Sequence, residues 1–247
     1  MVWVNVMVDN YYGRTYVAYL DISGFTEMMK DERSAWRVLD KFYQTIYQFC
    51  EISKHSNPRM SVILGSDEAI AFARNERTRE ESEGLLAVLR FIRSVNRSFI
   101  DLGADSFTTT CSIAYGRFNY QNRSEVDDLR KNFIFGSPYV KTVLDQKKGV
   151  PKIKPGDCRL LFRRPIFSKK ARENLISFIC RRGKRNYFYW MLNDPNEQRN
   201  FNAEYLRAYS NRKKDNYRGI IEVLRKYAIH SRKKARVKSE RERNGEV

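Results

Sequence analysis

The chain has 247 residues, 42% of them hydrophobic, and its 47 Lys+Arg against 29 Asp+Glu give a net charge of +18. That length and apolar content suffice for a buried core in one sizeable domain with an appendage. The basic balance favours acidic partners such as nucleotides, nucleic acid or anionic lipid, and it leaves the fold open.

The sequence also argues against membrane-spanning, secreted, disulfide-rich and zinc-binding proteins. No run approaches the roughly 18 apolar residues of a transmembrane segment, and the amino terminus lacks the pattern of a secretory signal, so we expect a cytoplasmic protein. The four cysteines are scattered without a C-x-x-C pair, and only His55 and His230 supply imidazole. A disulfide framework or a zinc site is therefore not expected.

The first half of the chain alternates β-rich runs with runs of helical period. The predicted elements are a strand at 16–21, a helix at 32–53, a β-hairpin at 60–64 and 69–73, a helix at 80–102 and a strand at 107–115. The hairpin turn is Gly65-Ser-Asp-Glu68, whose residue types favour tight turns. This order predicts an α+β, ferredoxin-like palm with helices on one sheet face.

In the second half of the chain we predict a short helix at 138–147, a strand at 157–162, a further helix at 168–180 and an amphipathic helix at 220–227. An aromatic run lies at 187–192. Residues 231–243 are nearly all charged, which favours a solvated segment. We therefore divide the chain into a main domain at 1–194 and a basic helical C-terminal extension at 195–247.

Asp21 and Asp67 are the candidate catalytic pair. Each ends a β-rich run at a bend, which would place both carboxylates at one end of adjacent strands. Two acids at one sheet edge suit a hard cation such as Mg²⁺, which takes one or two protein carboxylates together with substrate phosphates. Two such ions clamp the attacking and leaving oxygens of an in-line displacement at phosphorus. The alternative is that both acids merely form turns.

The bend after Asp21 is a candidate phosphate site. Ser23, Gly24, Phe25 and Thr26 lead toward a helix, so their backbone N–H groups and the positive end of the helix dipole could hold a triphosphate. Gly24, lacking a Cβ, would permit close approach of phosphate oxygens.

Four ordered motifs resemble the class III nucleotidyl cyclases. Residues 19–26, Tyr-Leu-Asp-Ile-Ser-Gly-Phe-Thr, resemble the family's opening motif, and 64–72, Leu-Gly-Ser-Asp-Glu-Ala-Ile-Ala-Phe, resemble its second metal motif. Residues 112–116 resemble its next strand. Residues 135–148, followed by 150–153, are closest to the pyrimidine cyclases of Pycsar antiphage systems.

The resemblance implies that 1–194 is the catalytic domain of a phosphorus–oxygen lyase that works as a homodimer with sites at the interface. Asp21, Asp67 and the carbonyl of Ile22 would bind two Mg²⁺ or Mn²⁺ ions. The ribose 3′ oxygen of UTP or CTP would attack the α-phosphorus, giving cUMP or cCMP and pyrophosphate. The cyclic product would activate a downstream cyclic-nucleotide-sensing effector.

The chain departs from the purine cyclases at the positions that read the base. Their base-reading Lys has no counterpart in Ser61-Val-Ile-Leu64, and their base-reading Asp would fall near Phe133 or Ile134. Because hydrogen-bonding sites discriminate between substrates more strongly than apolar ones, the loss of both polar readers argues against ATP.

The family's transition-state Asn and Arg would fall near Lys141 and Asp145, and neither residue matches. Lys141 is our candidate for neutralising charge on the phosphates, with Lys147 and Lys148 as alternatives.

Two other functions stay open on the sequence. The +18 charge and the basic run at 232–238 favour a nucleic-acid-binding module on a degenerate cyclase-like palm. The turn at 65–68 is also similar to the Gly-Gly-Asp-Asp turn of palm polymerases that form oligonucleotides.

Overall fold

A computed structural model of the chain describes residues 9–74, 81–102, 106–126, 129–162, 175–211 and 217–229. The strands of these regions form one sheet: β1 (Tyr11–Ile22), β2 (Arg59–Leu64), β3 (Glu68–Arg74), β4 (Thr109–Val126), β5 (Leu129–Gly136), β6 (Cys158–Leu160), β7 (Ile179–Arg182) and β8 (Arg185–Phe188). The helices are α1 (Phe25–Met28), α2 (Glu32–Ile52), α3 (Glu81–Ile100), α4 (Ser137–Lys148), α5 (Gln198–Ser210) and α6 (218–229).

The centre of the sheet has the order β2-β3-β1-β4, and each neighbouring pair there is antiparallel. Helices α2 and α3 connect β1 to β2 and β3 to β4, which gives the ferredoxin-like strand order. The predicted α+β palm is therefore confirmed. Beyond β4 the sheet continues through β6, β8 and β7, while β5 forms a hairpin with β4.

Alternation along β1 separates two clusters of buried residues. Ala18 and Leu20 join the large core under α2 and α3, whereas Val17 and Tyr19 belong to a second cluster on the opposite face. This follows from the period of two in a strand. Helix α4 contacts that second cluster through Tyr139 and Val143. Helices were predicted on one sheet face only, whereas α4 covers part of the second face as well.

One predicted element is wrong in the part that the structure describes. Residues 175–180 were predicted to be helical, but they form a short 3₁₀ turn (Leu175–Phe178) and the start of β7. The apolar run is short, and runs of that length do not distinguish a strand from a helix by period. Residues 163–174 lie outside the described residues.

Helices α5 and α6 bury apolar side chains in the same core as the palm: Phe201, Tyr205, Ile220, Ile221, Leu224 and Tyr227. The amphipathic helix predicted at 220–227 is therefore confirmed, whereas the charged run at 231–243 lies outside the described residues. The division at 194 stays a prediction. In the described ranges, no helix has the length and apolar character needed to cross a membrane.

Candidate active site

The pairing of β1 with β3 brings the two candidate aspartates together. Asp21 lies directly opposite Glu68 in the antiparallel register. The next residue, Ile22, donates its backbone N–H to the carbonyl oxygen of Asp67 at 3.0 Å. Residues far apart in the chain thus become neighbours at one edge of the sheet, where the β2–β3 hairpin turns.

Three carboxylates of like charge, Asp21, Asp67 and Glu68, lie close together at this edge of the sheet. Partial burial, followed by the charges of Asp67 and Glu68, raises the pKa of Asp21 from 3.8 to about 6. Across the described part of the chain, none of the three carboxylates forms an ion pair with Lys or Arg. This acidic edge, Asp21, Asp67 and Glu68, therefore carries uncompensated negative charge.

Two tyrosines that the sequence reading missed hold this edge in place. The hydroxyl of Tyr43, from α2, donates to the carbonyl oxygens of Gly65 and Ser66, at 2.8 Å for the second. The buried hydroxyl of Tyr19 donates to Glu68, so this carboxylate is tied to the sheet face. Alternation along β1 was a usable signal, because it places Tyr19 and Asp21 on one face.

The bend after β1 exposes backbone donors. Gly24 has φ +79°, in the left-handed region, and it opens the short helix α1. The N–H groups of Gly24, Phe25 and Thr26 have no backbone acceptor within the described residues. The hydroxyl of Ser23 is buried and also lacks a partner there. The structure thus places the predicted phosphate site, Ser23–Thr26, directly after the acidic edge.

Lys141 lies apart from these groups within one chain. It is exposed on α4, between Val140 and Leu144, which are each 50% exposed. Its side chain makes no hydrogen bond or ion pair with any described residue. The structure therefore brings Asp21, Ile22 and Asp67 together with the bend, and leaves Lys141 on an outer surface.

The buried side of α4 carries a different acid. Asp145 accepts from the Arg159 guanidinium at 2.8 Å and from the Ser112 hydroxyl at 2.6 Å. Arg159 is fully buried. The Asp145–Arg159 pair therefore fastens α4 to β4 and β6.

Thr110 is a further residue near the acids that the sequence reading missed. It is the cross-strand partner of Asp21 on β4, and its hydroxyl donates to the side-chain oxygen of Gln146 on α4 at 2.9 Å. This contact connects α4 to the acidic edge.

The donor set at the acidic edge fits a divalent cation that is completed by its substrate. Among the described residues, no three His, Cys, Asp or Glu side chains are arranged to hold a metal ion by themselves. Asp21 and Asp67 offer two carboxylates, and Ile22 adds a carbonyl oxygen close by. Mg²⁺ and similar hard ions bind such sparse oxygen sets together with phosphate and water. A cation would also offset the burial and the like-charge repulsion that together raise the pKa of Asp21.

Comparisons with known proteins give structural likeness only. No family model and no curated protein matches the chain. The guanylyl cyclase Cya2 superposes with a TM-score of 0.47 at 10% identity, covering 73% of this chain and 94% of that one. The adenylyl cyclase CyaB from P. aeruginosa gives 0.47 at 11% identity, covering 73% and 94%.

The guanylate cyclase domain of RhGC from Catenaria anguillulae, solved in complex with GTP, gives 0.49 at 10% identity, covering 73% of this chain and 95% of that chain. At this level of identity the reaction has to be argued from the chain's own residues.

Proposed function

We propose that the protein is a nucleotide cyclase that converts UTP or CTP into cUMP or cCMP and pyrophosphate. The observation that carries this proposal is the convergence of Asp21 and Asp67, both lacking an ionic partner among the described residues, beside a bend with free backbone donors. Acids gathered without cations are costly in a folded protein and are typical of functional sites.

Each residue has a part in this reaction. The ribose O3′ would attack the α-phosphorus, the bond from that phosphorus to the α–β bridging oxygen would break so that pyrophosphate leaves, and the 3′ proton would pass to solvent water. Asp21, Asp67 and the carbonyl of Ile22 would hold two Mg²⁺ or Mn²⁺ ions, which would supply charge to favour the ionised O3′ and to offset the charge of the pyrophosphate. The N–H groups of Gly24, Phe25 and Thr26 would orient the phosphates.

The preference for a pyrimidine is supported by the residues at the base-reading positions. The Ser61 hydroxyl is buried and accepts from the Arg74 guanidinium at 2.8 Å, so it is already engaged. Ile134 packs against the cluster on the second sheet face, and Phe133 offers only a ring. Neither position supplies a free polar group to hydrogen-bond a purine.

A homodimer would bring Lys141 to the site. Helix α4, which carries Lys141, and the strand before it have three exposed apolar side chains, Phe135 on β5 and Val140 and Leu144 on α4. Exposed apolar groups beside a cation suit an interface whose centre is apolar. We propose that Lys141 of one copy faces the acids of the other and stabilises charge on the phosphates.

Mixing two inactive variants tests this arrangement. If each site combines acids from one copy with Lys141 from the other, D67N and K141A chains together should regain up to about a quarter of the wild-type turnover. That fraction assumes random pairing of the chains in a dimer. Recovery to no more than the sum of the separate variants would contradict a shared site.

The product of turnover tests the proposed reaction. The protein is incubated with each of the four NTPs and Mn²⁺, and the products are separated by chromatography against cyclic standards. We expect a cyclic mononucleotide from UTP or CTP, which would then act on a cyclic-nucleotide-sensing effector in antiphage defence. Linear or oligomeric products would favour the polymerase instead. The absence of product from every NTP, with salt-dependent RNA or DNA binding lost on removing 230–247, would favour the nucleic-acid-binding module.

A further inference from the structure

The C-terminal extension contacts the candidate phosphate site through one aromatic ring. Tyr217 directly precedes α6, and its ring lies against the backbone of Gly24. A Cβ placed at Gly24 would be 2.7 Å from Cε2 of Tyr217 and 3.2 Å from Cδ2. Only a glycine accommodates the ring at this distance. The sequence predicts that Gly24, lacking a Cβ, lets phosphate oxygens approach closely. In the structure, the ring of Tyr217 fills the space where that Cβ would lie.

Tyr217 is held firmly by the element that carries it. Its carbonyl oxygen accepts from the N–H of Ile221 at 2.9 Å, in the first turn of α6. Farther along this helix, Leu224 is fully buried in the core, and the Arg225 guanidinium donates to the carbonyl oxygen of Ile100 at 2.9 Å. The ring is therefore presented from a packed helix.

The bend is bonded to the sheet on one side and to α1 on the other. The N–H of Ser23 donates to the carbonyl oxygen of Thr108 at 2.9 Å, and the carbonyl oxygen of Gly24 accepts from the N–H groups of Glu27 and Met28 at 3.1 and 3.2 Å. Between these bonds, Gly24 adopts a conformation that glycine enters and leaves at little cost. The ring of Tyr217 is the side chain packed against Gly24 at this point.

We propose that Tyr217 is a positioning residue for the nucleotide site: its ring holds Gly24 in the left-handed conformation that aims the N–H groups of the bend at the triphosphate. The C-terminal helices then belong to the nucleotide site, and are more than a basic appendage. The triphosphate part of this inference rests on the proposed function, whereas the ordering of the bend does not.

The first test follows the bend without any nucleotide. Amide hydrogen exchange is measured on the full-length protein for wild type, Y217A, Y217F and the control I46A. Glu27 and Met28 donate their N–H groups to the carbonyl oxygen of Gly24, at 3.1 and 3.2 Å, so exchange at these two amides reports opening of the bend. Y217A should speed exchange at both about tenfold or more, because the ring no longer limits local opening. Y217F keeps the ring and should match wild type. I46A opens a cavity at a buried position on α2, outside α6 and the bend, and should leave both amides slow.

The second test uses a 3′-deoxynucleoside triphosphate, which lacks the attacking hydroxyl and so cannot be cyclised. Y217A should weaken its binding about tenfold, since misplaced donors lose their alignment with the phosphates. Y217F and I46A should each stay within about twofold of wild type. If I46A fails to fold, I46V replaces it as a milder change at the same position.

The two tests separate the inference from the reaction. Unchanged exchange in Y217A, or equal changes in Y217A and I46A, would overturn the positioning role. Faster exchange with unchanged triphosphate affinity would overturn its link to the nucleotide. A wild-type protein that binds no triphosphate would refute the proposed function, while the exchange data would still decide whether Tyr217 orders the bend.

Discussion

The acids of this molecule differ in whether a cation compensates their charge: the three at the acidic edge have no ion pair among the described residues, whereas Asp145 is paired with Arg159. At the acidic edge, Asp21, Asp67 and Glu68 lie close together, and partial burial followed by like charge raises the pKa of Asp21 to about 6. Under α4, Asp145 is buried against a fully buried Arg159 and also accepts from Ser112. Both groups lie against β4. The difference teaches that one acid stabilises the fold, while the others impose a cost that a ligand is needed to offset.

The largest effect should come from the uncompensated acids. We expect D21N or D67N to lower turnover at least about a thousandfold, because each removes a charge on which metal-assisted phosphoryl chemistry depends. Circular dichroism should show a retained fold. Cyclic nucleotide formation is measured by chromatography at saturating Mn²⁺. A D67N protein with more than a tenth of wild-type turnover would remove the acidic edge from the mechanism.

Breaking the compensated pair should instead affect stability. R159M leaves Asp145 buried without its cation, which we expect to lower the free energy of unfolding by about 3–5 kcal/mol. The matched control R185M removes an exposed arginine on β8 and should change it by less than about 0.5 kcal/mol. Urea unfolding measures both. Equal effects of R159M and R185M would mean that the Asp145–Arg159 pair does not fasten α4.

The pH dependence of stability sharpens the comparison. With a pKa raised from 3.8 to about 6, folded Asp21 binds a proton more tightly than the unfolded chain does. The stability of the metal-free protein should therefore fall as pH rises through this interval. D21N removes that dependence, so its Tm should exceed the wild-type Tm increasingly between about pH 4 and pH 7. A constant difference over this range would contradict the raised pKa of Asp21.

The smallest effect should come from the phenol that ties Glu68 to the sheet. Y19F removes one hydrogen bond to a carboxylate, which we expect to cost about 1.5–3 kcal/mol of stability. The ring stays in place, so the core around it should be unaltered. Y12F, at an exposed position on β1, is the control and should be silent in the same urea titration. A silent Y19F would show that Glu68 finds an equal partner elsewhere.

The sequence predicted the palm well because its elements have clear periods. The helices at 32–53 and 80–102 and the hairpin around residues 65–68 were assigned close to their observed bounds. The β4–β5 hairpin was missed: Phe118 and Tyr120 alternate with polar residues, but residues 121–132 are almost all polar and carry no strand pattern. The helix predicted at 168–180 was contradicted at 175–180, where short apolar runs are ambiguous.

The site was predictable where it depends on local pattern. Asp21, Asp67 and the bend were found because each follows a strand at a turn. The partners of these residues were not found, because they come from distant parts of the chain. Tyr43 reaches the hairpin from α2, and Tyr217 reaches Gly24 from the C-terminal extension. Such contacts are set by tertiary packing, which a single sequence does not display.

The central claim is that Asp21 and Asp67 jointly hold divalent ions beneath a nucleoside triphosphate. Calorimetric titration of Mn²⁺ into the full-length protein, saturated with a 3′-deoxypyrimidine triphosphate, measures this directly for wild type, D67N and the control E51Q on the exposed surface of α2. We predict that wild type and E51Q bind the ion equally and that D67N binds at least about a hundredfold more weakly. Equal Mn²⁺ affinity in wild type and D67N would contradict the account.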